Sequence, residues 1–93
     1  MVTDSFDLAA LIAAAISSDD DAACEQAATQ AEGYGSPEQA VVETLDALMR
    51  TPAYWRQREM FAVARQRWLH RAAMCDQEWA RDRIALEWAE DSD

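Results

Sequence analysis

One histidine and two cysteines leave this chain of 93 residues few routes to catalysis. His70 and Cys75 are five residues apart, about 500° around a helix, so they point to different faces and form no thiolate–imidazole pair. A single histidine also excludes a histidine-based metal site within one chain. The triplet Asp19-Asp20-Asp21 has the charge for a cation but not the pattern. A calcium loop alternates its ligands and turns on a glycine, whereas these acids are consecutive and run into alanines. Glu78 and Asp82 are four apart, as are Glu87 and Asp91, and such pairs on a helix surface are ordinarily solvated. There is no HExxH, no CxxC pair and no glycine-rich phosphate loop, Gly33-Tyr34-Gly35 being too short to serve as one. The chain therefore reads as a non-enzyme, with no catalytic group, cofactor or metal expected.

Two sets of residues are suited to binding. The first is acidic: Asp19, Asp20, Asp21, Glu25 and Glu32. The second is Met60, Val63, Arg67, Met74 and Trp88, with Arg56, His70 and Arg81 interleaved. Methionine and arginine beside an aromatic suit an adaptable protein-binding surface. Arg56, Arg58, Arg65, Arg67 and Arg71, with Trp55 and Trp68, look locally like a nucleic-acid stripe. Helical geometry spreads these arginines around much of the helix, and the net charge of −10 opposes a phosphate backbone, so direct nucleic-acid binding is not expected.

The elements that must position these residues are helices. Glycines and prolines number two each, alanine is abundant and β-branched residues are scarce, which is an all-α composition for one domain, 1–93. Ser5 caps a first helix, about 5–17, with Leu8, Leu11, Ile12, Ala15 and Ile16 at helical spacing. A second helix, about 20–32, begins in the acid triplet, favoured there by the macrodipole, and presents small residues around Cys24. Gly33 and Gly35 stop it. Ser36-Pro37-Glu38-Gln39 starts a third, about 37–50, as a capping box with proline at the first helical position. Thr51-Pro52 restarts the chain as a long helix, about 52–90. Tyr54, Phe61, Trp68, Ala72, Cys75, Trp79 and Leu86 share an arc of about 60° either side of Tyr54 on it, a core stripe broadened by Ala62, Leu69 and Ala80. A bend near residues 73–76 is conceivable, but no glycine or proline marks it. The expected fold is three short helices packed on one long C-terminal helix.

Charge is sharply partitioned. Net charge runs −10 over residues 1–49, +5 over 50–75 and −5 over 76–93, and lysine is absent. Guanidinium groups suit planar, partly buried pairing with carboxylates, so arginines of the long helix are expected to pair with acids of the N-terminal half and leave a negative face exposed. Cys24 and Cys75 both fall on apolar faces, which predicts buried free thiols and a cytoplasmic chain. No signal peptide is visible, and the longest apolar run, Leu8 to Ile16, is too short to span a bilayer.

In size, and in the acid-only run from Asp4 to Asp46, the chain resembles small acidic inhibitors made by phages and mobile elements, including anti-CRISPR and anti-restriction proteins. The resemblance rests on no motif. It implies a stoichiometric block of a nucleic-acid-handling complex, with the carboxylates of the first set standing where phosphates would sit. The alternative is an adaptor, chaperone-type or homodimeric assembly protein that binds through the Met/Trp/Arg face.

Overall fold

The computed structural model describes residues 7–31 and 33–91. Among them are five α-helices and no strand: α1 (Leu8–Ser17), α2 (Asp21–Gln30), α3 (Pro37–Met49), α4 (Arg58–Met74) and α5 (Glu78–Asp91).

The aspartates of the triplet each do local work. Asp19 has φ 53°, and its N–H donates to the Ile16 carbonyl while that of Asp20 donates to Ala15. These are the two bonds of a Schellman motif, with aspartate where glycine is usual. The Asp20 side chain then accepts from the Ala23 N–H at 3.1 Å and caps α2, and Asp21 occupies its first turn. Asp7 caps α1 in the same way, accepting from Ala10; the expected cap, Ser5, lies outside the described residues.

Ser36 and Pro37 start α3 as the sequence predicts: the Gln39 N–H donates to Ser36 Oγ at 3.2 Å. The box closes one residue early, because Gln39 Oε1 accepts from the Gly35 N–H rather than from Ser36. A Cβ at Gly35 would sit 2.8 Å from that same Oε1, so a side chain there would make the end of Gln39 shift.

The long helix of the sequence analysis is not continuous. Thr51 caps nothing; its hydroxyl turns back and donates to the Ala47 carbonyl. Residues Pro52–Gln57 form a 3-10 segment in which Tyr54 leaves helical geometry, and α4 starts only at Arg58. A second break separates α4 from α5. Cys75 ends α4, Asp76 has φ 63°, the Asp76 N–H donates to Ala73 and the Gln77 N–H to Ala72. This is again a Schellman closure on an aspartate. Pro52 marks the first break, but the second carries neither glycine nor proline, so its stop signal is missing from the sequence.

The core is built by the first four helices. Trp68, Phe61 and Leu69 from α4 pack with Ile12 of α1, Cys24 of α2, and Val41, Val42, Leu45 and Leu48 of α3, all nearly inaccessible to solvent. Each large side chain buried this way contributes about 1.5–3 kcal/mol. The predicted stripe holds for Phe61, Trp68 and Ala72, with Tyr54 and Trp79 half-buried. It fails at Cys75 and Leu86, which are exposed, because the chain turns between them. Ala62 is exposed as well. From α5 only Ala80 is fully buried among the described residues.

Candidate interaction surfaces

The arginines of α4 bind the N-terminal helices to it, as the charge partition predicts. Arg67 pairs with Asp21 at 2.8 Å, and Arg71 pairs with Glu25 at 2.9 Å and lies 3.7 Å from Glu38. The Arg71 guanidinium also stacks over the Trp68 ring at 4.6 Å. Its pKa is raised, chiefly by the hydrogen bond it donates to Glu25. Arg65 is the most enclosed, its side chain only 11 % exposed. It donates from Nε to Asp46 on α3 and from both terminal nitrogens to Glu87 on α5. That contact raises the Arg65 pKa and holds the Glu87 carboxyl below its ordinary value of 4.5. Arg83 reaches the other oxygen of Asp46 at 3.4 Å, so one carboxylate of α3 anchors both arms of the α4–α5 hairpin.

These pairs change the standing of both predicted sets. Of the acidic set, Asp21 and Glu25 are neutralised by Arg67 and Arg71. Asp20 is engaged by the α2 backbone, and Glu32 lies outside the described residues. Asp19 and Asp20 remain exposed at the α1–α2 corner. Arg67, assigned to the second set, thus joins the two sets at one ion pair.

The second set divides. Met60, Val63, Arg67 and Met74 lie within about 60° on α4 and span about 21 Å along it. Met60, Val63 and Met74 are 43 %, 69 % and 75 % exposed, so they do not complete the core. Trp88 is 74 % exposed but belongs to α5. There it borders a shallow groove with Arg81, Ile84 and Ala85. Grouping Trp88 with the α4 residues assumed an unbroken helix; the turn at residues 75–77 separates them.

Trp55 is a surface residue the sequence sets did not isolate. It is 64 % exposed, and the Arg58 guanidinium lies 4.7 Å from its ring centroid. Arg50, Arg56 and Arg58 form no ion pair among the described residues. Of these, Arg56 and Arg58 lie beside Trp55, with Glu59. The proline-directed 3-10 turn was the available signal, since it takes this stretch off the core face.

Cys24 is buried as expected, and burial pushes its thiol up to about 12. Cys75 is exposed, contrary to expectation, because it sits in the turn that ends α4. No group of three or more His, Cys, Asp or Glu side chains that could hold a metal ion occurs among the described residues. No described helix is long and apolar enough to cross a membrane.

No protein-family model, curated protein or solved structure matches the chain.

Proposed function

We propose that the protein is a non-enzymatic interaction module that binds a protein partner through the exposed face of α4, Met60, Val63, Arg67 and Met74. What carries this reading is the presence of three large apolar side chains, each at least 43 % exposed, on one narrow arc beside a guanidinium. Scattered exposed apolar residues are ordinary, but alignment on one rigid helix face favours a partner. Arg67 is already oriented by Asp21, so little side-chain entropy is lost when it is used.

The second reading is the acidic inhibitor, which occupies a basic nucleic-acid-binding surface of a partner complex. Support comes from Asp19 and Asp20 at an exposed corner and from the net charge of −10, which steers the chain to basic surfaces.

One experiment separates them. Wild type, a Met60→Glu/Val63→Glu/Met74→Glu variant and an Asp19→Lys/Asp20→Lys variant are used for affinity capture from nuclease-treated source-cell lysate at low and high salt. The α4 reading expects the same protein to be retained by wild type and the Asp variant at both salts, and lost by the α4 variant. Retention by the α4 variant, with loss in the Asp variant and release by salt, replaces it with the acidic inhibitor.

A further inference from the structure

The apolar pattern of the sequence does not stop where α4 stops. Phe61, Trp68 and Cys75 are seven apart, and Trp79 and Leu86 continue the same angular stripe as if residues 58–91 were one helix. The observed hairpin interrupts this stripe and leaves Cys75 and Leu86 exposed. No glycine or proline occurs from Arg58 to Asp91. The turn is instead closed on Asp76 at φ 63°, a conformation unfavourable for any residue with a Cβ.

Side-chain contacts hold this turn. Gln77 Oε1 accepts from Ser36 Oγ at 2.6 Å and from Trp79 Nε1 at 2.7 Å, and Gln77 Nε2 donates to Glu38 Oε1 at 3.0 Å. Asp76 also pairs with Arg81. Beyond the turn, α5 rests mainly on α4 and fully buries only Ala80. Its outer anchors are Glu87 to Arg65 and Arg83 to Asp46. A second copy of the chain can supply these outer contacts of α5, whereas the Gln77 network belongs to the closed turn.

We propose that residues 75–77 are a hinge, and that α4 and α5 join as one continuous helix in a domain-swapped dimer, with α5 of each copy packed on α4 of the other. The joined helix spans 34 residues, about 51 Å. Opening relieves the left-handed Asp76 and extends the backbone hydrogen-bond ladder through the hinge. Closing keeps the Gln77 network. The packing of α5 is the same in both states, which is why exchange between copies is a low-cost route to a dimer.

Position 76 gives a test with opposite signs. Asp76→Ala strains the turn and favours the helix, whereas Asp76→Gly relaxes the turn and weakens the helix. Each change shifts one hinge by roughly tenfold, and a dimer opens two, so the two variants should depart from wild type by roughly a hundredfold in opposite directions in dimer dissociation constant. Gln77→Ala should move with Asp76→Ala. Sedimentation velocity over a concentration series reads the dimer, and circular dichroism verifies that each variant is helical. The expected order of dimer formation is Asp76→Ala and Gln77→Ala above wild type, and Asp76→Gly below it. Equal dimer fractions in the alanine and glycine variants overturn the hinge, since a dimer of intact hairpins would not respond to the backbone preference of residue 76. So does the absence of dimer in both alanine variants at the highest concentration.

Discussion

Arg65 ties three helices together, and its removal can be worked through in magnitude. The side chain is 11 % exposed and makes one charge-assisted hydrogen bond to Asp46 and two to Glu87. Each such bond is worth about 1.5–3 kcal/mol net when enclosed. Asp46 and Glu87 are partly exposed and can rehydrate, and Asp46 keeps Arg83. Taking the low end and halving it for solvent screening, Arg65→Ala costs about 2 kcal/mol. That is a large share of the roughly 5–15 kcal/mol of a small domain and corresponds to a fall in Tm of about 8–16 °C. Arg65→Lys keeps the charge but loses the forked geometry, so it should fall between the two. The assay is urea and thermal unfolding followed by circular dichroism, with hydrogen exchange to show that α5 loosens first. The effect should also depend on pH. The folded-state pKa of Glu87 lies below 4.5, so its contribution is complete above that pH and is lost as pH falls through the folded value. The gap between wild type and Arg65→Ala must therefore narrow in acid. A loss below about 0.5 kcal/mol at neutral pH, or a gap that does not change in acid, refutes the account of Arg65 as the anchor of the hairpin.

Three further predictions concern residues whose environments the fold assigns. Under native conditions an aromatic disulfide reagent should titrate Cys75 rapidly and Cys24 only on unfolding; fast reaction of both thiols would contradict the burial of Cys24. Because the Cys24 pKa is raised from 9.0 to about 12, its contribution to stability is whole below pH 9.0 and is lost as pH rises toward 12; a Cys24→Ala variant should lack that alkaline loss. Asp19→Gly should raise stability by up to about 1 kcal/mol, since glycine adopts the φ of 53° without strain. An unchanged or lower unfolding midpoint in urea would show that the Asp19 side chain does more than end α1.

Much of the local structure was legible in the chain. The helices around Leu8–Ser17, Asp21–Gln30 and Pro37–Met49 follow from apolar spacing, alanine content and the Ser36-Pro37 start. The pairing of α4 arginines with N-terminal acids follows from a charge partition in which residues 1–49 hold no base. Whether particular carboxylates would be consumed was not legible. Asp21 and Glu25 meet Arg67 and Arg71 across 46 residues of sequence, and that distance is closed only by packing α2 on the rest of the core.

Composition and periodicity determined that the chain is helical, that Phe61 and Trp68 lie inside, and that Met60, Val63 and Met74 lie on the other side of the same helix. These are properties of a residue and its near neighbours. Tertiary structure decided where the C-terminal helix breaks and, with it, the environments of Cys75, Leu86 and Trp88. At residues 75–77 local preference and long-range contact oppose each other. The backbone there carries no stop signal, and Gln77 is held by Ser36 and Glu38, about 40 residues earlier in the chain. A preference of order 1 kcal/mol per residue yields to two hydrogen bonds that exist only once α3 is in place, from Ser36 to Gln77 and from Gln77 to Glu38.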